Sequence, residues 1–238
     1  MTERELRGGS GRLVERLRDR VRFAGREMRC PCCEGRFGRF KPSASGLLEL
    51  ECPRCGSRPR QRLLWLYLTA ERLLAAHGLR ILHLAPERCI ERRLRMLEGV
   101  EYVTVGIENP LADVRADVDA LPFDDASFNR ILCSYVLEGA PDDAKAMGEL
   151  RRVLSDDGLA VIQAPVSHEL DRTVEVGGLR AYGRDIEDRL RNAGFRVRVV
   201  RYADEMDAAA AERHGVVSQH GWVRNDLYLC QVPRGAAV

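Results

Sequence analysis

Residues 117–138 read DVDALPFDDASFNRILCSYVLE, and this stretch decides the fold class. A polar segment containing Pro122 precedes the short apolar run 130–133, which has the length and bounds of a buried strand. Residues 142–154 follow with the apolar spacing of an amphipathic helix. Glu138, Asp142 and Asp143 are expected at the start of that helix, with Pro141 placed to begin it. The stretch therefore predicts a strand followed by a helix, which is the repeating unit of α/β proteins.

The same alternation of strands and helices extends to both sides. The predicted strands lie at 80–84, 102–105, 113–118, 130–133, 159–163, 196–201 and 226–231, and the predicted helices at 87–97, 142–154 and 184–193. This order predicts a mostly parallel, Rossmann-like sheet with helices on both faces, in which ligands bind beyond the carboxyl ends of the strands. A functional site is expected in the loops after Leu84, Val105, Val118, Cys133 and Gln163.

The cysteines mark a second kind of module. Five of the eight lie between Cys30 and Cys55, in two Cys-Pro-x-Cys knuckles joined by two short β-like runs at 36–41 and 47–51. Four thiolates from two tight turns form the tetrahedral shell that a structural Zn²⁺ requires. The repeated Cys-Pro-x-Cys register assigns the four ligands Cys30, Cys33, Cys52 and Cys55. Replacement of Cys30 or Cys33 by Cys32 is the rival assignment.

Charge and periodicity divide the chain into unlike parts. Residues 1–77 carry 17 basic and 9 acidic side chains, whereas residues 78–238 carry 21 and 27. We expect an N-terminal helix in 1–27, a zinc ribbon in 28–58, a connecting helix in 59–77 and the α/β domain in 78–238. The connecting helix, predicted over 61–77 with Ser57 as its cap, is apolar all round at 63–68 and is expected to be buried between the ribbon and the domain. Neither an apolar span nor a signal core is present, so we expect a cytoplasmic protein.

Several sequence blocks together resemble a known family. They are 117–129, 131–138, Pro141 to Asp143, 149–154 and Gly158. In this order they resemble the class I S-adenosylmethionine-dependent methyltransferases, and more narrowly the type 11-like subgroup in which a zinc ribbon precedes the catalytic domain. The resemblance implies a seven-stranded sheet with a final antiparallel strand and S-adenosylmethionine bound across the strand ends. It places Leu84, Ala85, Pro86 and Glu87 at the first cofactor motif, Asp117 and Val118 at the adenine, and Ser134 at the loop facing the methionine moiety.

The sequence also departs from the family pattern. The acidic residue expected to hold the ribose is replaced by Gly106, so Glu108 is the candidate for that role. Three positions that commonly carry histidine are occupied by Tyr135, Gly139 and Gly178. Tyr135 and His168 are the candidate catalytic residues. The acceptor-binding candidates are Tyr135, His168, Arg180 and Tyr182.

These features predict a methyltransferase, or an enzyme of related S-adenosylmethionine chemistry, that acts on a small-molecule acceptor. A noncatalytic methyltransferase-like partner protein is one alternative, favoured by Gly106 and the missing histidines. An RNA methyltransferase is another, in which the basic ribbon binds the nucleic acid and Phe37 and Phe40 stack on bases. Burial of both phenylalanines under the hairpin is the preferred interpretation.

Overall fold

The computed structural model describes residues 18–19, 21–42, 50–107, 109–216 and 223–233 of the 238-residue chain. The strands of this part are β1 (Met28–Arg29), β2 (Arg36–Phe37), β3 (Lys41–Pro42), β4 (Leu50–Glu51), β5 (Leu79–Leu84), β6 (Val100–Val105), β7 (Phe128–Ser134), β8 (Leu154–Gln163), β9 (Val166–Ser167), β10 (Val174–Val176), β11 (Leu179–Ala181), β12 (Arg196–Val200), β13 (Val223–Arg224) and β14 (Leu227–Gln231). Its helices are α1 (Pro59–Ala70), α2 (Arg88–Leu94), α3 (Asp143–Val153), α4 (Ile186–Asn192), α5 (Tyr202–Glu205) and α6 (Ala208–His214), with a 3₁₀ turn at Leu137–Gly139.

A six-stranded sheet in the order β12-β14-β8-β7-β5-β6 forms the centre of the domain. Strands β6, β5, β7 and β8 are parallel, while β14 runs antiparallel to both β8 and β12. This is the predicted Rossmann-like architecture with its antiparallel final strand. The carboxyl ends of β5, β7 and β8 lie side by side, and their loops meet at one edge.

The predicted strand at 113–118 is wrong as a full strand, because it makes only the isolated bridge between Val105 and Val114. The Asp113 carboxylate accepts hydrogen bonds from the Thr104 amide at 2.9 Å and from the Thr104 hydroxyl at 2.7 Å. The Asp113 side chain therefore occupies the donor that would extend the ladder before Val114, and β6 itself ends at Val105, so residues 115–118 do not continue the ladder. Within the described residues, the sheet has six strands where seven were predicted.

Each face of the sheet packs against its own helices. One core contains Met147 and Leu150 of α3 with Ile186 and Leu190 of α4. The other joins α1 and α2 to the cysteine-rich module, and it includes Phe37 and Phe40, which are 6% and 2% exposed. The expectation that these two rings pack inside the module is confirmed. The module is consequently continuous with the hydrophobic core of the domain.

Two small antiparallel ladders build the cysteine-rich module, β1 with β2 and β3 with β4. The first ladder closes the turn that carries Cys30 and Cys33, and the second leads into the turn that carries Cys52 and Cys55. The predicted long hairpin is thus divided into two shorter pairings. Its connecting residues 43–49 and most of the predicted N-terminal helix, 1–17 and 20, lie outside the described residues.

Helix α1 is buried as predicted, but it is shorter than the predicted helix and is capped differently. Arg58 is the N-cap, and its amide donates to Gln61 Oε1 at 2.9 Å. Ser57 is not the cap, because its hydroxyl lies 3.2 Å from Cys30 Sγ and 3.3 Å from Cys55 Sγ. The helix ends at Ala70 since Arg72 adopts a left-handed backbone conformation with φ of 53°.

Arg62 on α1 is fully buried, at 0% exposure, and connects three parts of the chain. Its guanidinium donates to the carbonyl of Ser57, to His214 O at 2.7 Å and to Gly215 O at 2.6 Å. The same group lies 4.1 Å from the centre of the Phe40 ring. Burial lowers the pKa of Arg62, while the neighbouring cysteines oppose that shift. The guanidinium is planar, and the carbonyls that accept its hydrogen bonds are held in place. Arg62 therefore forms a rigid junction between α1, the module and the end of α6.

We expect Arg62→Met to lower the free energy of unfolding by about 3 kcal/mol, because it leaves buried carbonyls without donors. Arg62→Lys should recover part of that loss, since a single ammonium cannot reach every carbonyl. Urea denaturation measures both values. The control is Arg213→Met on exposed α6 surface, expected within about 0.5 kcal/mol of wild type. A loss from Arg62→Met no larger than that of the control would contradict the role of the junction.

Candidate functional site

The loop after β5 turns at Ala85. This alanine has φ of 43°, and its amide donates to Val105 O at 2.7 Å, so the turn is pinned to the neighbouring strand. Pro86 is buried behind it, and Glu87 is the N-cap residue of α2 without a side-chain cap hydrogen bond. A non-glycine residue held in the left-handed region carries strain, which often accompanies a functional constraint. The backbone here turns sharply at the end of the strand, where the first cofactor motif was predicted.

Glu87 directs its carboxylate inward from this loop. Its Oε2 lies 3.1 Å from Nε2 of His83, which is itself fully buried and lies 2.8 Å through Nδ1 from the hydroxyl of Tyr102. Burial raises the pKa of Glu87, but the hydrogen bond and charge of His83 outweigh it and leave the pKa below its usual value. The second oxygen, Oε1, is buried and has no hydrogen-bond partner within the part of the chain that the structure describes.

Two further charged groups belong to this region, and the charge of Arg60 acts on the carboxylates of both Glu87 and Glu138. Arg60, from α1, places its guanidinium 4.3 Å from the centre of the Tyr135 ring, and its Nε is buried without a partner among the described residues. Glu138, in the 3₁₀ turn after β7, likewise has a buried Oε2 without a partner there. Burial raises the pKa of Glu138 to about 7, although the charge of Arg60 opposes this. Buried polar atoms without partners at one sheet edge indicate a place for a polar ligand.

The floor of this pocket is held by hydrogen bonds between β7 and β8. Ser134 Oγ donates to Gln163 Oε1 at 3.0 Å, and the Tyr135 amide donates to Gln163 O at 2.9 Å. Tyr135 has φ of 57°, so its backbone is strained as Ala85 is. The loops after two adjacent parallel strands are thus both sharply turned at the edge where ligands bind in such sheets.

The residues predicted for the adenine and ribose lie at the neighbouring strand end. Val118 is buried, and its amide donates to Asp117 Oδ1 at 2.8 Å. A side chain at Gly106 would meet nothing closer than 3.5 Å, so the absence of a Cβ there is not forced by packing. Glu108, the predicted ribose ligand, lies outside the described residues.

His168 lies on the other side of Tyr135, after β9. Its Nε2 is 3.3 Å from Oδ2 of Asp226, a buried carboxylate that also lies 3.6 Å from Nε of Arg201. The preceding residue, Asn225, accepts a hydrogen bond from the Tyr135 hydroxyl at 3.3 Å. The structure therefore brings the predicted pair Tyr135 and His168 to neighbouring residues at the start of β14.

Arg180 and Tyr182 make hydrogen bonds to other residues of the α/β domain. Tyr182 is fully buried, and its hydroxyl donates to Asp143 Oδ2 at 2.9 Å. Arg180 donates to the carbonyl of Ala140 and to Pro141 O at 3.0 Å. These contacts fix the segment between the 3₁₀ turn and α3, so both side chains support the pocket from behind instead of facing into it.

The four predicted cysteine ligands converge on one point. Their Sγ atoms, from Cys30, Cys33, Cys52 and Cys55, all lie within 4.8 Å of one another. Cys32 is buried but turns away, with its Sγ 3.8 Å from the carbonyl of Gln61. Hydrogen bonds from the surrounding thiols lower the pKa of Cys30. The cluster consists of the four cysteines of the predicted Cys-Pro-x-Cys register, and Cys32 lies beside it.

Arg60, Glu138 and Asp226 are absent from the predicted site residues. The sequence indicates Arg60 only as one of the basic residues near the ribbon, and it predicts Glu138 at the start of a helix. Of the acidic residues predicted at that start, only Asp142 caps α3, where it accepts a hydrogen bond from the Lys145 amide at 3.0 Å. Asp226 was placed within the last strand, which begins one residue later. An isolated acid beside Asn225 just before an apolar strand was the available signal for it.

Comparison with known proteins agrees with this geometry. Residues 81–162 match the family model described as a methyltransferase domain. The demethylmenaquinone methyltransferases of two Staphylococcus epidermidis strains are 38% identical over 66 residues, which is 28% of this chain. The match spans 27% of those relatives' own length.

Solved structures share the fold at low sequence identity. The cyclase SpnF is 18% identical with a TM-score of 0.54, over 73% of this chain and 82% of its own. A Galdieria sulphuraria protein assigned as a sarcosine dimethylglycine methyltransferase is 15% identical with a TM-score of 0.51, over 70% and 84%. Residues 81–162 are thus similar to a methyltransferase domain, and the chain shares its fold with these two structures. No helix among the described residues has the length and apolarity to span a membrane.

Proposed function

We propose that this protein is an S-adenosylmethionine-dependent methyltransferase whose cofactor pocket lies at the carboxyl ends of β5 and β7. The observation that carries the proposal is the set of three buried polar atoms without described partners, Glu87 Oε1, Glu138 Oε2 and Arg60 Nε. Their charges match the methionine moiety of the cofactor, which carries an ammonium and a carboxylate. Leaving such atoms unpaired costs on the order of 1–3 kcal/mol each, so a ligand that pairs them gains that energy.

Each charged residue has a role in this arrangement. Glu87 and Glu138 would bind the ammonium, and Arg60 the carboxylate, with the strained turn at Ala85 allowing close approach of the backbone. A bound cation beside Glu138 would lower its pKa from about 7, so the pocket would bind the ligand with Glu138 ionised. We assign Leu84 and Pro86 to the same wall, Ser134 to the floor, Asp117 and Val118 to the adenine, and Glu108 to the ribose.

The acceptor side is assigned to Tyr135, His168 and Asp226. S-adenosylmethionine supplies an electrophilic methyl group when bound, and the acceptor atom needs alignment and, for a hydroxyl, loss of a proton. His168 is the candidate base, and Asp226 orients its ring. Arg180 and Tyr182 act as positioning residues through Asp143 and the Ala140–Pro141 backbone. A small-molecule acceptor fits the acidic character of residues 78–238.

We also propose that the four-cysteine cluster binds a structural Zn²⁺. Four thiolates within 4.8 Å of one another, without a described fifth ligand group in the cluster, match a closed tetrahedral site. The hydroxyl of Ser57 lies close enough to Cys30 and Cys55 to donate its one proton to either thiolate and orient it. Because α1 begins at Pro59, the metal would hold the start of the helix that carries Arg60.

Cys52→Ser should abolish stoichiometric zinc binding, since it removes a ligand, whereas Cys32→Ser should retain about one zinc per chain. Elemental analysis of protein purified without added metal measures the content. Cys32 is the matched control because it lies in the same knuckle but faces Gln61. Zinc loss from Cys32→Ser comparable to that from Cys52→Ser would contradict the ligand assignment.

Calorimetric titration with S-adenosylmethionine and with S-adenosylhomocysteine tests the cofactor pocket. We expect micromolar binding of both, weakened roughly tenfold or more by Arg60→Met and by Glu87→Gln, because each removes a charge-assisted hydrogen bond. The controls are Arg36→Met and Glu175→Gln at exposed positions. Absence of binding to a folded wild-type protein would favour the noncatalytic partner-protein alternative and sink the enzyme proposal.

If His168 is the base, substitutions at His168 or Asp226 should lower turnover without affecting cofactor binding. Asp226→Asn should leave S-adenosylmethionine binding unchanged but lower turnover of a hydroxyl acceptor about 100-fold, as His168→Gln should. Steady-state kinetics with an acceptor found by screening, together with melting temperatures, measures this. Asp171→Asn, at an exposed loop position, is the control. Unchanged turnover in folded Asp226→Asn protein would remove His168 as the base.

A further inference from the structure

A second cavity lies away from the cofactor pocket, between the cysteine-rich module and α2. Its volume is about 630 Å³, within the range of small-molecule sites. One wall is formed by Arg54 and by cysteines of both knuckles, so the cavity borders the four-cysteine cluster. The opposite wall is the face of α2 that carries Arg88 and Arg92. Neither the methyltransferase domain match nor the proposed cofactor site accounts for it. We call it the arginine groove.

Part of the positive charge lining the arginine groove has no acidic partner. Lys41 pairs with Asp19 at 3.1 Å, and Arg93 pairs with Glu34 at 2.7 Å. Arg88 and Arg92, in contrast, have no hydrogen bond or ion pair to any residue the structure describes. Two guanidinium groups thus face the cavity without an acidic partner there.

The third guanidinium is held in place by the protein backbone. Arg54 donates to the carbonyl of Cys33 at 3.2 Å, which orients the group but leaves its charge uncompensated. A zinc-loaded cluster of four thiolates would add a formal charge of about −2 nearby, and buried Arg62 offsets part of it. The uncommitted arginines therefore still present an excess of positive charge to the groove.

The arrangement fits adjacent phosphate groups. Arg88 and Arg92 are four residues apart, so their side chains emerge side by side from one face of α2, about 6 Å apart at Cβ. A guanidinium matches phosphate oxygens with two parallel hydrogen bonds, and Arg54 can approach from the opposite wall. Met96, 73% exposed at the rim, adds an apolar contact for the remainder of a ligand.

The size of the positive patch favours a compact ligand over a long nucleic acid. The sequence isoelectric point is about 8.1, and residues 78–238 carry more acidic than basic side chains. Nucleic-acid-binding surfaces usually extend as basic stripes that contact many phosphates. Of the basic residues that follow the ribbon, Arg60 lies on Tyr135 and Arg62 is buried, so neither is available to contact RNA.

From these observations we propose that the arginine groove binds a small molecule through a diphosphate group, as in a nucleoside diphosphate. The knuckle and α2 form the site jointly, so it exists only where the ribbon is docked on the domain. The proposal is independent of methyl transfer, since none of the groove arginines belongs to the proposed cofactor pocket.

The test is calorimetric titration of the full-length, metal-replete protein with UDP and with UMP at low and moderate salt. We expect UDP to bind at least about tenfold more tightly than UMP, because the second phosphate pairs with a further arginine. Arg88→Ala/Arg92→Ala should weaken UDP binding roughly tenfold or more. The matched control, Arg172→Ala/Arg213→Ala, removes the same charge from exposed positions elsewhere and should bind UDP like wild type.

Melting temperature and zinc content confirm that each variant is folded with its ribbon docked. No UDP binding at low salt, or equal weakening in the control double variant, would overturn the proposal. Tighter binding of a single-stranded oligouridylate than of UDP, lost in Arg88→Ala/Arg92→Ala, would also overturn it and assign the groove to RNA. Binding of S-adenosylmethionine measured in the same samples separates failure of the groove from failure of the cofactor pocket.

Discussion

The buried guanidinium of Arg62 is the junction on which the relation between the two modules depends. It joins the knuckle at Ser57, the ring of Phe40 and the carboxyl end of α6 through hydrogen bonds that no neutral side chain could supply. Arg60 lies two residues earlier on the same helix and points into the pocket at Tyr135. Because a helix is rigid over such a distance, fixing Arg62 also fixes where Arg60 delivers its charge. Contacts with the cysteine-rich module thereby help to position a side chain of the candidate site.

This arrangement gives the departures of the domain a physical interpretation. A glycine-rich first motif brings backbone close to a ligand, and here a strained Ala85 performs the same turn while Glu87 is held by buried His83. The positive charge of Arg60 offsets the negative charges of the buried Glu87 and Glu138 carboxylates. Without it, the two carboxylates would repel each other in a pocket with little water. The cysteine-rich module therefore acts on the electrostatics of the domain, and its docking creates both the pocket wall and the arginine groove.

Much of the fold could be predicted from the sequence, since local periodicity and turn chemistry report on single elements. The strands around Leu79–Leu84, Phe128–Ser134 and Leu154–Gln163 and the helix at Asp143–Val153 follow directly from apolar spacing. The two predictions that were wrong have local causes, which the apolar periodicity of the sequence does not report. Asp113 takes the Thr104 amide from a seventh strand, and the left-handed Arg72 ends α1 early. Both depend on a single side chain or dihedral angle within an otherwise correct pattern.

The sequence by itself determined the fold class, the cysteine register and the strand ends at which a site had to lie. Those follow from periods and spacings along a continuous chain. Only the tertiary structure decided that Tyr182 supports Asp143, that Asp226 faces His168, and that Arg60 reaches Tyr135. These partners are 39, 58 and 75 residues apart in sequence. No local pattern records such a pairing, because its geometry arises from how sheet, ribbon and helix pack together.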